Sequence, residues 1–87
     1  MSDIEEIPKT LLITITGKDR PGVTSAMFST FAAAGVEVLD IEQIVLRRRL
    51  VLGVPVTAPR DWKKLRLAIE QTAEGLGMQV EVERGRG

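Results

Sequence analysis

Hydrophobic and polar residues alternate in three stretches of the chain, which is the pattern of strands with one buried face. The first covers residues 10–16 (TLLITIT), the second has Leu or Val at every even position of residues 50–56, and the third covers residues 78–83. A fourth apolar stretch, residues 36–46 (VEVLDIEQIVL), is longer than an ordinary strand, and its apolar positions change parity between Val38 and Leu39. That change predicts a strand that contains a bulge or is covered on both faces.

Two intervening stretches repeat their apolar residues at helical spacing. In the first, the apolar spacing runs through Val23, Met27, Thr30 or Phe31, and Ala34. Pro21 suits the first helical position, and Gly35 suits the left-handed residue that ends a helix. The second follows Asp61, a candidate N-cap. Its apolar stripe consists of Trp62, Leu65, Ile69, Ala73 and Leu76. The sequence therefore predicts two helices that each bury one face.

The order strand, helix, strand, strand, helix, strand is that of the ferredoxin-like α+β sandwich. Right-handed crossovers place both helices on one face of a four-stranded antiparallel sheet, with strand order 4-1-3-2. The second and fourth strands are then the edges. We expect one domain over residues 9–83, with residues 1–8 as a flexible N-terminal tail and residues 84–87 as a C-terminal tail or the start of a linker.

The amino-acid composition excludes several functions that are common for this architecture. The 87 residues contain no Cys and no His, so thiol, disulfide, zinc-finger and imidazole chemistry are excluded. Twelve basic residues balance twelve acidic ones, and only three residues are aromatic, which argues against a nucleic-acid-binding module. The acidic N-terminus resembles no secretory signal, and no apolar run is long enough to cross a membrane. We expect a cytoplasmic domain without metal, membrane or nucleic-acid partners.

The loop between the first strand and the first helix, residues 17–23 (GKDRPGV), is the strongest candidate for chemistry. Pro21 disfavours helical geometry at Arg20, which makes Arg20 the predicted N-cap, yet arginine has no side-chain acceptor. The first helical amides would then be unpaired donors at the positive end of a helix, a suitable seat for a carboxylate. Gly22 would let a ligand approach the backbone. In the alternative interpretation, Asp19 folds back and caps these amides itself.

At this loop the sequence resembles the ACT domain, a regulatory module that binds small molecules in enzymes of amino-acid metabolism. Residues 11–54 carry the resemblance, with the pattern of a strand, G-x-D-R-P-G-V, a helix and A-G-V-E-V. GKDRPGVTS, DIEQIVL and RLVLGV are similar to the N-terminal ACT domain of bacterial phosphoserine phosphatases. The resemblance implies a regulatory, L-serine-binding and oligomerising domain of L-serine biosynthesis.

That family carries catalysis in a separate haloacid-dehalogenase-like domain with a D-x-D-x-T motif, which these 87 residues lack. We therefore expect no phosphoserine hydrolysis by this chain alone and no cofactor within it, with Mg²⁺ confined to the catalytic domain. Two alternatives to the serine-binding module stay open. One is a structural oligomerisation module that binds no ligand, and the other is a stand-alone ACT regulatory protein.

The resemblance also implies where an effector binds: between this loop in one domain and the start of the second strand in a neighbouring domain. The matching residues are Gly17, Asp19, Arg20, Pro21, Gly22, Val23, Glu37 and Asp40. In this arrangement the helix amides hold the carboxylate of the ligand, and Asp19 or Glu37 holds its ammonium group. Glu37 departs from the family, in which Asn is frequent at this position.

Apolar residues on both faces of an edge strand predict self-association, because exposed strand edges are normally paired or covered. Leu12 and Val51 are also expected to lie bare on the sheet face away from the helices. We predict a homodimer, or pairing with a second ACT domain. The predicted interface residues are Phe28, Leu39, Ile41 and Gln43.

Two basic runs remain. Residues 47–49 (RRR) fit a solvated hairpin turn better than a phosphate or nucleic-acid site. Arg60, Lys63, Lys64 and Arg66 crowd the start of the second helix, where cations oppose the helix dipole, and they point to a contact with another domain.

Overall fold

All six predicted elements occur, in the predicted order, in the computed structural model, which describes residues 9–85. The predicted N-terminal tail and the last two residues lie outside the described part of the chain. The elements are β1 (Thr10–Lys18), α1 (Val23–Ala34), β2 (Glu42–Leu46), β3 (Arg49–Thr57), α2 (Trp62–Gly75) and β4 (Gln79–Gly85). The predicted α+β class is confirmed.

The four strands form one antiparallel sheet in the order β2-β3-β1-β4, which is the predicted order. β1 lies at the centre, where Ile13 pairs with Val54 of β3 on one side and with Val82 of β4 on the other. β4 continues to Gly85, and Arg84 pairs with Leu11. Arg84 and Gly85 are therefore strand residues rather than part of a tail.

The core lies between the sheet and the two helices, and the alternation of the strands determines which residues enter it. Every second residue of β1 and β3 is buried, and so are the predicted helix stripes apart from Ala34, which is exposed, and Leu76, which is half-buried. Both helices end at a left-handed glycine, Gly35 after α1 and Gly77 after α2. On the opposite face of the sheet, Leu12 is 39% exposed and Val51 is 38% exposed, as predicted.

The predicted second strand, residues 36–46, is interrupted. Val38 forms a single bridge with Val56, and regular pairing resumes only at Glu42, opposite Gly53. Three residues of the chain thus stand opposite two residues of β3. This extra residue is the arrangement of a bulge, and it accounts for the parity change in the sequence. β2 proper is therefore five residues long rather than eleven.

Pro55 also lies at this interruption. Proline lacks a backbone donor and is typical of strand ends, but β3 continues past Pro55 to Thr57. The carbonyl oxygen of Pro55 accepts a hydrogen bond of 2.8 Å from the amide of Leu39, so the edge of β3 that lacks a donor at Pro55 faces the bulge. The pairing of β3 with β1 loses no hydrogen bond to the proline, because it uses the other edge.

The β2–β3 hairpin turns through Arg47 and Arg48, which have φ angles of 51° and 68°. Two residues with positive φ are typical of a type I′ turn, in which Asn-Gly is the preferred sequence. Arginine in this conformation brings its Cβ close to a backbone carbonyl. The turn therefore holds two arginines in a backbone conformation that their side chains disfavour.

We expect Arg48→Gly to stabilise the domain by about 0.5–1 kcal/mol, because glycine adopts positive φ without this penalty. Urea unfolding at fixed protein concentration measures the change. Arg49→Gly is the matched control, since it removes the same side chain from a strand position and should destabilise by a similar amount. A destabilised Arg48→Gly variant would contradict the strained-turn interpretation.

Candidate functional site

Helix α1 begins later than the sequence suggested. Its N-cap is Gly22, which has a φ of 87°, and the first helical residue is Val23. The prediction that Arg20 is the N-cap and Pro21 the first helical residue is wrong. The chain reverses at Pro21 and Gly22 before the helix starts, and the left-handed conformation at the reversal favours glycine.

The first turn of α1 carries unpaired backbone donors. The amide of Ala26 bonds to the carbonyl of Gly22 at 2.9 Å, whereas the amides of Val23, Thr24 and Ser25 have no acceptor among residues 9–85. No side chain caps this end of the helix, so the alternative in which Asp19 caps it is wrong. Nothing lies within 4 Å of a Cβ built on Gly22. The positive end of α1 is therefore open to an anion.

The loop before α1 is anchored at its start by backbone and packing contacts. The amide of Asp19 donates a 2.7 Å hydrogen bond to the carbonyl of Arg48, which ties the loop to the hairpin turn. Gly17 is buried against Met78, because a Cβ built on Gly17 would lie 2.6 Å from the sulfur of Met78. Gly17 thus permits close packing at the end of β1, and the residues that follow it form the exposed part of the loop.

The side chains of the loop are placed in different directions. Arg20 reaches the turn after α2, where a Cβ built on Gly77 would lie 3.7 Å from its Nη2. Asp19 is exposed, and its carboxylate has no hydrogen bond or ion pair among the described residues. Pro21 is also exposed, whereas Val23 is buried in the core and presents only its backbone. Asp19 is therefore the acidic side chain that a ligand at this loop would meet.

Glu37 and Asp40 lie at the opposite end of α1. The helix has 12 residues, or about 18 Å of length, so one chain does not bring these carboxylates to the loop. The amide and carbonyl of Glu37 are fixed by two 2.9 Å hydrogen bonds to Thr57, and its side chain is exposed. Oδ1 of Asp40 accepts a 2.8 Å bond from the amide of Ile41. A site that uses the loop and these residues needs two domains.

The segment from Leu39 to the end of β2 exposes a row of large apolar side chains, here called the β2 edge surface. Their exposed fractions range from 46% to 68%. The row consists of Leu39, Ile41, Ile44, Val45 and Leu46. Of this set, Leu39 and Ile41 are among the predicted interface residues, together with Gln43, which is exposed on β2. Phe28 is half-buried, with its ring 5.6 Å from that of Phe31.

A concave region lies between the two helices, away from the loop. This groove has a volume of about 720 Å³ and is lined mainly by small residues such as Ala33, Ala68 and Thr72. The hydroxyl groups of Thr30 and Thr72 lie 2.8 Å apart and link the helices. Neither helix among residues 9–85 is long and apolar enough to span a bilayer.

Comparison with known proteins identifies the relatives of this fold. The family model for the ACT domain matches residues 9–83. Phosphoserine phosphatase SerB2 of Mycobacterium tuberculosis is 48% identical over 77 residues, covering 85% of this chain and 19% of the relative. A phosphoserine phosphatase of Streptomyces coelicolor is 46% identical over 88 residues, covering 99% of this chain and 21% of the relative. The chain thus spans about a fifth of the length of these relatives.

Solved structures agree on the architecture. An ACT domain protein from Streptococcus pneumoniae superposes with a TM-score of 0.78 at 24% identity, covering 88% of this chain and 90% of the other. At that identity the likeness concerns the fold alone.

Proposed function

The chain belongs to the ACT domain family, and we propose that it is the regulatory domain of a phosphoserine phosphatase. In this proposal the domain binds L-serine or a similar small amino acid and assembles with a second ACT domain. Catalysis and its Mg²⁺ then belong to a separate domain. The ACT domain holds no cofactor and shifts the equilibrium between assembled states of the enzyme. Both domains act in the cytoplasm.

The observation that carries the proposal is the uncapped first turn of α1. Three consecutive amides without acceptors among residues 9–85, at the positive end of a helix, are suited to a carboxylate. Gly22 leaves the approach to them open. The exposed carboxylate of Asp19 lies in the same loop and can receive the ammonium group of the same ligand. This pairing of donors and acceptor favours a zwitterion over a simple anion.

The sheet topology supports a shared site. β1 and β2 run in the same direction, because each is antiparallel to β3, so β2 ends at the end of the sheet where the loop follows β1. If two copies pair their β2 edges antiparallel about a two-fold axis, the start of one β2 region lies at the loop end of the other copy. Glu37 and Asp40 of one copy then approach the loop of its partner.

Such a site couples binding to assembly. An effector held by groups from two copies binds the paired state better than the separated state, and it shifts the equilibrium by that difference in affinity. The β2 edge surface supplies the apolar contact on which the pairing rests. The ligand then needs to supply only the difference in free energy between two arrangements of the paired domains.

The proposal is tested by isothermal calorimetry of the assembled chain with L-serine. We expect saturable heat and a raised melting temperature at millimolar serine or below, and weaker effects with D-serine, which presents its ammonium group differently. Absence of both heat and a thermal shift at 10-fold higher concentrations would contradict amino-acid binding.

A second candidate function is a structural oligomerisation module that binds no effector. The extent of the β2 edge surface favours it, since an exposed apolar edge can drive association without a ligand. Sedimentation velocity with and without L-serine separates the two candidates. A serine-dependent change in the distribution of species supports the regulatory module, whereas a dimer that is insensitive to every amino acid tested, together with silent calorimetry, supports the structural one.

We expect Gly22→Ala to weaken L-serine binding by at least about tenfold, because its Cβ enters the open space in front of the helix amides and the residue resists positive φ. Calorimetry measures the affinity. Gly35→Ala is the matched control. It imposes the same kind of substitution on a left-handed residue with open surroundings, at the other end of α1.

Both variants should lose about 1 kcal/mol of stability, while only Gly22→Ala should lose the ligand. Equal losses of affinity in the two variants would mean that the effect comes from weakened folding rather than from the site.

A further inference from the structure

A second cluster of charge surrounds the side chain of Trp62. It is separate from the loop of residues 17–23, here called the effector loop. The ring is only 8% exposed, and three cations lie around it. Nζ of Lys63 lies 5.9 Å from the ring centroid, and the Cζ atoms of Arg66 and Arg84 each lie 5.6 Å from it. α2 supplies Lys63 and Arg66, and β4 supplies Arg84, so the fold brings together charges that are distant in the sequence.

The described part of the chain offers Arg66 and Arg84 little negative charge. The first turn of α2 contains no acidic residue, and cations there oppose the helix dipole. Among the described residues, the carboxylate nearest to Arg66 is that of Glu70, at 4.0 Å, and both side chains are about half exposed, so that pair contributes little. Arg84 has no carboxylate within 4.0 Å in the described part of the chain. Arg66 and Arg84 therefore carry positive charge that the described carboxylates offset little, and this charge favours an external anion.

The cluster is concave. Together with Val82, Trp62 and the three cations line a site of about 500 Å³, and none of the lining residues within 9–85 is acidic. That volume suits a small molecule or a single charged group. Trp62 and Val82 supply the apolar part of the lining, and the three cations are exposed to solvent. An anion in this site would meet the guanidinium groups of Arg66 and Arg84 beside an apolar surface.

The site is remote from the effector loop. Arg84 pairs with Leu11 near the start of β1, whereas the loop follows the end of the same strand. β1 has nine residues, which is about 30 Å of extended chain. One small ligand cannot occupy both places, so the two sites bind separately.

We propose that the Trp62 cluster is a second anion-binding site, which takes the phosphate group of a small molecule or free inorganic phosphate. Guanidinium forks match phosphate oxygens in bidentate geometry, and a phosphate dianion offsets more positive charge in one place than a single carboxylate does. A nucleic acid is a poorer fit, because the chain has no net positive charge and the ring of Trp62 is too buried to stack on a base.

The experiment is an NMR titration of the whole chain that follows the indole N–H of Trp62 and the amide of Arg84. Inorganic phosphate and glycerol 2-phosphate are the two ligand arms, and chloride at equal ionic strength is the blank. We expect saturable chemical-shift changes with both compounds. Tighter binding of glycerol 2-phosphate than of inorganic phosphate identifies a phosphorylated small molecule as the ligand. Equal binding of the two identifies free phosphate. Citrate binding at least as tight as phosphate would overturn the choice of phosphate.

The variants are Arg66→Gln and Arg84→Gln, which should each raise the dissociation constant by about tenfold or more. Lys64→Gln is the matched control, because it removes one charge from the same helix turn but lines the groove between the helices. Arg84→Lys keeps the charge and removes the fork. Binding that survives both glutamine variants, or that weakens equally in Lys64→Gln, would mean that phosphate is attracted by the general surface charge. That result would overturn the site.

Binding of phosphate by Gly22→Ala should equal that of the unmodified chain, and saturating L-serine should not compete with it. These two measurements show whether phosphate binding fails independently of amino-acid binding at the effector loop.

Discussion

Replacing Phe31 by alanine should destabilise the domain by about 3–5 kcal/mol, the largest stability effect that we expect from a single substitution. Phe31 is 1% exposed and is among the largest fully buried side chains, on the face that α1 presents to the core. Natural domains are stable by only about 5–15 kcal/mol, and small domains bury a smaller share of their surface. Urea unfolding at fixed protein concentration should therefore show a midpoint close to zero denaturant.

Phe28→Ala is the control for this prediction, because it removes the same ring from the same helix. Phe28 is only half-buried, and its ring touches Phe31 from the rim of the core. We expect less than half of the loss seen for Phe31→Ala. Equal losses would mean that Phe28 is buried in the state under study, as it would be if it lay in the predicted interface.

Ile44→Lys should convert the assembled protein to monomers, with a rise of about a hundredfold or more in the dimer dissociation constant. Ile44 lies in the middle of β2 and is 59% exposed in the single chain, so the substitution should leave the fold intact. Lysine on an edge strand opposes pairing with another strand, because its charge would be buried without a partner. Sedimentation velocity over a range of concentrations measures the effect.

Leu67→Lys is the matched control, since Leu67 is 54% exposed but lies on α2, away from the β2 edge surface. It should not change the association. If Ile44→Lys associates as strongly as the unmodified chain, or if Leu67→Lys dissociates it equally, then the contact between copies is not formed by β2.

Most of the fold could be predicted because its determinants are local. Alternation in β1 and β3 fixes which face of the sheet is buried, and the stripe from Trp62 to Ala73 fixes the orientation of α2. The parity change after Val38 correctly indicated a bulge, since one inserted residue shifts every later side chain to the other face. The ACT family could also be recognised, because the motif around Gly22 and the strand that follows α1 are carried by contiguous residues.

The remaining features depend on contacts between distant segments. The sequence does not show that Gly22 rather than Arg20 caps α1, because a left-handed residue after proline is one of several ways to begin a helix. It does not place Arg84 beside Trp62, since only the pairing of β4 with β1 brings that side chain to the start of α2. Nor can a single chain join Glu37 to the loop across the length of α1, so that part of the candidate site stays a prediction about two domains.

The most direct test of the central claim is an amide NMR titration of the assembled protein with L-serine. The account predicts that the amides of Val23, Thr24 and Ser25 shift most, because they are the unpaired donors that receive the carboxylate, and that the amide of Glu37 shifts with them across the interface. A titration in which these amides stay unchanged at saturating serine, or in which the largest shifts lie elsewhere on the domain, would contradict it.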